Sequence, residues 1–239
     1  TSESSQGEFR DRMRGRAEML KTDSSAATAH SSATQDLVSF DMDGMTVGTG
    51  AFSQINYASR QNINLFFKRA KGYMDVVCFN GSSSVQNIQH SLGVVPEMMW
   101  VKNRTGRPSN DGNWQVYHKY NTATDYMLLN GTNAAGSTTG AWNNTEPTST
   151  VFTLGTLNWV NVSGEPNIAY LFATLAGISK CGSYVGNGSS QTISCGFSAG
   201  SRFILIKRTD ATGDWFFWDS VRGIVAGNDP HLSLNTTAA

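Results

Sequence analysis

From Leu65 onward the chain repeats itself, and that repeat constrains the fold more than any motif does. LFFKRAKGYMDVVCFNG, starting at Leu65, lies over YLFATLAGISKCGSYVG, starting at Tyr170, at a constant offset of 105. Gly72 falls on Gly177, Phe79 on Tyr184, Gly81 on Gly186, Ile88 on Ile193, Leu92 on Phe197, Met98 on Phe203 and Lys102 on Lys207. The excess in GRPSNDGNW shifts the offset to 101, which sets Trp114 on Trp215 and Tyr117 on Trp218. It returns to 105 at Leu129/Leu234 and Asn130/Asn235. Upstream, MTVG (45–48) matches FTLG (152–155), and Asn62 matches Asn167. The division expected from this is a leading segment 1–35, one repeat over 36–140 and a second over 141–239.

Each repeat reads as short strands. In the first they fall at 45–48, 63–69, 73–79, 85–89, 98–103, 113–118 and 126–129, separated by Asn-Gly, Gly-Ser and Pro-containing breaks. Charged residues are 15% of the chain and glycines number 24, with Asn, Ser and Thr abundant. That composition suits turns between strands. The expected fold is all-β: two tandem β-sandwich-like repeats with a short N-terminal helix.

The helix is expected at Gly7–Lys21, where Phe9, Met13, Ala17 and Leu20 make a stripe spaced 4, 4 and 3. Residues 1–23 hold 10 of the 36 charged side chains. A helix this short is marginal alone in water, so it is expected to dock or oligomerise, or else to be a solvated extension. Residues 22–35 read as a linker. TSESSQGEFR has no apolar signal core, so export by the standard route is not expected.

Eighteen basic and eighteen acidic side chains balance. A phosphate backbone needs a basic surplus, so nucleic acid is not an expected partner. No apolar run is long enough to insert in a membrane as a helix. No spacing suggests zinc, and none of GxSxG, GxxxxGK[ST] or HExxH occurs. Asp41-x-Asp43-Gly44 starts like a calcium loop without the later ligands, and reads as a polar turn. No carboxylate pair stands out for glycoside chemistry. No catalytic residue, metal ligand or cofactor is therefore assigned. Cys181 and Cys195 would lie nearly opposite in a hairpin turning at Asn187-Gly188; a bridge and two free thiols both fit, with Cys78 left over.

The aromatic residues carry the candidate binding surface. By alternation, Trp114 and Val116 share one face of WQVYH and are expected in a core with Trp215 and Phe217. The other face holds Gln115/Tyr117 and Phe216/Trp218. Tyr117, Trp142, Trp159, Phe216 and Trp218 are the candidate ligand-binding residues, as stacking platforms for sugar. A covered core or a subunit interface is the other reading of that face.

FKRAKGYMDVVCFNG, IQHSLGVVPEMMWVKNR, WQVYH and LLNGTNAA together resemble a repeat of phage tail-fibre-like and other virion structural proteins, of the marine and cyanobacterial phage type. The first copy keeps His90, Leu92, Gly93, Pro96, Lys102, Trp114, Tyr117 and His118 of that phrase; the second keeps SYVGNGS, IKRTDATGDWFFWDS and LNTTAA but has CGFSAGS in place of HSLGVVP. SFDMDGMTVG resembles the family's lead-in to a domain. The resemblance covers about 36–239 and implies a virion part located on the particle surface or tail. It implies other virion proteins as partners through the N-terminal segment, a homo-oligomer with a trimer favoured, and a possible host surface glycan. The expected function is a non-enzymatic tail fibre or other surface appendage contacting the host. The alternatives are a carbohydrate-binding receptor-recognition module and a polysaccharide depolymerase.

Overall fold

The computed structural model describes residues 7–30, 36–49, 55–107, 109–223 and 230–237. The described residues are all-β. The strands are β1 (Glu8–Phe9), β2 (Glu18–Lys21), β3 (Ala29–His30), β4 (Leu37–Phe40), β5 (Met45–Val47), β6 (Met74–Asn80), β7 (Gln86–Gln89), β8 (Met98–Asn103), β9 (Gln115–His118), β10 (Asp125–Leu128), β11 (Gly136–Ser137), β12 (Val151–Leu154), β13 (Pro166–Phe172), β14 (Phe203–Lys207), β15 (Trp215–Asp219) and β16 (Leu232–Ser233). The one α-helix among them, α1, is the single turn Thr139–Trp142.

Six strands form a central antiparallel sheet in the order β11-β10-β9-β8-β13-β6. Alternation sends the side chains of each strand to two faces, and both faces are covered. On one, Met99, Val101, Tyr117, Ala169 and Leu171 pack under Trp142 and under Phe152 and Leu154 of the β7–β12 ladder. On the other, Trp100, Trp114, Val116, Ile168 and Tyr170 pack under Leu20 and Phe9 from the chain start, and under Trp215 and Leu205 from the chain end. The sheet is thus the middle of three layers.

The expected boundary at 140/141 falls inside this sheet. β13 lies between β6 and β8, with Ile168 opposite both Cys78 and Lys102, and β12 pairs with β7. PNIAYLF explains the placement: it is buried at six of seven positions, and a strand apolar on both faces needs cover on both and partners on both edges.

The expected N-terminal helix is two strands. Gly15 turns at φ +96°, and the Asp11 carboxylate accepts the backbone N–H of Arg14 at 2.9 Å. Such an Asp-anchored turn competes with helix. β1 and β2 then pair, Phe9 opposite Leu20, with Phe9 against Trp100 and Trp114. Met13, on the expected stripe, is 53% exposed while Leu20 is fully buried.

Two further expectations differ. Residues 63–69 take part in no strand pairing. Residues 180–199 form no hairpin, so Cys181 and Cys195 are not brought into a bridge; all three cysteines are free thiols.

Candidate functional site

A half-exposed aromatic pair lies on β15. Phe216 and Trp218 have ring centroids 6.0 Å apart. His231 stands edge-on to Phe216 at 5.0 Å and 5.8 Å from Trp218. Strand alternation points both β15 rings away from the central sheet, while Trp215 and Phe217 are buried. In the central sheet the matching positions, Gln115 and Tyr117, are fully buried. Phe216 and Trp218 therefore occupy a face that is a core wherever a layer covers it.

Two of the other candidates are core residues. Tyr117 is 1% exposed and donates its hydroxyl to the Glu146 carboxylate. Burial and that carboxylate push its pKa up. Trp142 is 1% exposed and donates its indole N–H to the Asp125 carbonyl at 3.0 Å. Trp159 is half-buried against Tyr126, 5.0 Å between centroids. A sugar cannot stack on Tyr117 or Trp142 without displacing the core.

Groups with chemical potential are engaged in holding loops. His90 Nε2 lies 3.1 Å from the Thr148 carbonyl, and its Nδ1 accepts from the Leu92 N–H at 3.3 Å. Burial holds its pKa below the ordinary value. Asp41 accepts from Ser39 and Thr46 hydroxyls at 2.6 and 2.7 Å, closing the β4–β5 turn. Glu97 binds Lys119 and the Thr174 hydroxyl. Among the described residues no group of His, Cys, Asp and Glu could hold a metal, and no helix is long and apolar enough to cross a membrane.

One arrangement occurs twice, and sequence reasoning missed it. Trp114 donates its indole N–H to the Lys21 carbonyl at 2.8 Å; Trp215 donates its own to the Leu128 carbonyl at 2.8 Å. Lys102 donates to the carbonyls of Ser25 at 3.1 Å and Gly112 at 2.6 Å. Lys207 donates to those of Thr132 at 3.1 Å and Gly213 at 2.6 Å. Thr28 N–H reaches the Arg104 carbonyl as Ala135 N–H reaches that of Thr209. The side-chain oxygens of Asn130 and Asn235 each accept the backbone N–H of their tryptophan at 2.9 Å. Lys21/Leu128, Ser25/Thr132 and Thr28/Ala135 all lie 107 positions apart. The start of the chain thus docks on β8 and β9 as the end of β10 and the turn after it dock on β14 and β15. Burial lowers the Lys102 pKa to about 8 and lowers that of Lys207.

A second local arrangement also occurs twice, and this one has a sequence signal. Asp11-x-x-Arg14-Gly15 matches Asp219-x-x-Arg222-Gly223. In both, Asp accepts the backbone N–H of the arginine and pairs with its guanidinium, which also donates to a Phe carbonyl. Both glycines have positive φ, +96° and +82°.

One family matches: residues 1–239 fit the family described as "Domain of unknown function (DUF7483)". No curated protein and no solved structure matches the chain.

Proposed function

We propose that this protein, which belongs to the DUF7483 family, is a non-enzymatic building piece of a phage virion, a tail fibre or other surface appendage. The observation that carries the reading is the junction made twice, with Trp and Lys donors capping carbonyls of the preceding β hairpin. Units that dock serially through one geometry extend along an axis, which suits a projecting appendage. In this reading the repeats are sandwich-like units whose seams lie near 70 and 175 rather than at 140/141, and residues 7–30 take the place that the end of β10 and the turn after it take at the second junction. The resemblance of the repeat phrases to virion proteins supports the particle as its place, with other virion proteins and further copies of itself as partners.

The test is detection in purified particles by mass spectrometry and antibody labelling. Labelled appendages are the expected result. Absence from particles, or new reducing ends when the pure protein meets host polysaccharide, contradicts it.

A second reading has its own observation, the half-exposed Phe216–Trp218–His231 cluster. It would serve a sugar ring by stacking. Glycan-array binding lost on Trp218→Ala, with the melting temperature unchanged, is its expected outcome; binding that survives removes it.

A further inference from the structure

β14 has an open edge whose occupant can be read from the rest of the molecule. β8 pairs with β9 on one side and β13 on the other. β14 is its counterpart and pairs with β15, the counterpart of β9. Among the described residues no strand lies on its second edge. The surroundings are uncovered to match. Ile193 is 50% exposed where Ile88 is 8%. A Cβ on Gly81 would meet the Val162 carbonyl at 2.1 Å, whereas one on Gly186 would meet nothing within 4 Å.

The chain also contains the missing strand. Asn62, Ile63, Leu65, Phe66 and Phe67 stand at the repeat offset from Asn167, Ile168, Tyr170, Leu171 and Phe172 of β13. The segment is unpaired, and Phe66 is 62% exposed. Within one chain Phe67, just before the turn closed by Ala70 and Met74, has its ring against Phe203 at 6.4 Å while the segment makes no strand pairing with β14. Leu65, Phe67, Tyr184, Ile193, Phe203 and Leu205 line one groove there. An unpaired edge with apolar cover on offer is a template for strand addition.

We propose that the open edge of β14 is a strand acceptor and that Asn62–Phe67 of a second copy of this chain fills it. The β13–β8 register fixes the fit: Phe172 opposite Met98 and Asn167 opposite Asn103 place Phe67 opposite Phe203 and Asn62 opposite Arg208. Each chain carries one donor and one acceptor, so the contact is head-to-tail and closes into a ring or runs on as a filament. The proposal does not depend on where the protein resides.

Native mass spectrometry over a concentration series, with amide exchange read along β14, tests it. Assembly into dimers and larger species, with β14 amides protected on assembly and released on dilution, is expected. Leu65→Pro should abolish assembly while the central sheet melts unchanged, and a peptide of residues 61–68 should restore β14 protection to that variant. Three results overturn the proposal: a monomer with unprotected β14 amides, a monomer with protected ones (the chain's own segment having closed the edge), and assembly indifferent to Leu65→Pro.

Discussion

Trp114 and Trp215 stand in the same relation to the hairpins that precede them, each indole N–H 2.8 Å from a carbonyl, of Lys21 and of Leu128. Each is also buried, 0% and 3% exposed. The bond fixes the angle of docking and the ring supplies the buried area. Trp114→Ala should cost about 3–5 kcal/mol. Trp114→Phe keeps most of the area but leaves the part-buried Lys21 carbonyl without its indole donor, at about 1 kcal/mol. Urea unfolding checks both; equal costs would mean that the N–H is idle.

Tyr117 was a binding candidate from sequence and is a core residue in the fold. Tyr117→Phe removes the hydroxyl that meets Glu146, and Tyr117→Ala removes the ring that packs on Trp142, 6.1 Å between centroids. The alanine variant should lose about 3–5 kcal/mol. Glycan binding lost without loss of stability would restore it as a contact residue.

Gly81 and Gly186 test where the repeat is closed and where it is open. The Val162 carbonyl lies where a Gly81 Cβ would sit, so Gly81→Ala should destabilise by about 1–3 kcal/mol through forced backbone movement. Gly186→Ala meets open space and should stay within about 0.5 kcal/mol. Thermal melts of the two variants decide it.

Acid should weaken the central sheet in two stages. Burial first, then the neighbouring Lys119, holds the His118 pKa below its ordinary 6.5. The unfolded chain therefore takes up the proton more readily, and stability falls as pH drops below 6.5 until the native value is passed. Glu97 is held below 4.5 by its bonds to Lys119 and Thr174, so its contribution is present above 4.5 and lost as pH falls through the lower native value. His118→Asn should reduce the upper stage of a stability–pH curve, leaving the share of His90, whose burial lowers its pKa in the same direction, and should not alter the lower stage.

Most of the strands expected in the first repeat are present; 63–69, which takes part in no pairing, is not among them. The expected 85–89, 98–103, 113–118 and 126–129 correspond to β7, β8, β9 and β10, because turn residues bracket each alternating run. Pairing was not legible. A repeat offset says that Phe67 and Phe172 are equivalent, but not that only Phe172's strand finds two partners in the chain. Helical spacing over Phe9–Leu20 misled because a four-residue period also arises when a hairpin's apolar residues fall on either side of a turn; Asp11 and Gly15 were the contrary signal. Trp218 was rightly placed on the face opposite Trp215. Tyr117 was misjudged as a platform because α1 and the β7–β12 ladder, which follow or precede it by more than twenty residues, cover its face, and Trp142 because it is itself part of that cover.

The central claim is that residues 7–30 dock on β8 and β9 through the junction used again at β14–β15. Residue-resolved amide exchange tests it at Thr28 and Ala135, whose N–H groups cross the two junctions to Arg104 and Thr209. Comparable protection at both is predicted, with Lys102→Met exposing only Thr28 and Lys207→Met only Ala135. A freely exchanging Thr28 beside a protected Ala135, or loss of both in either variant, would contradict it.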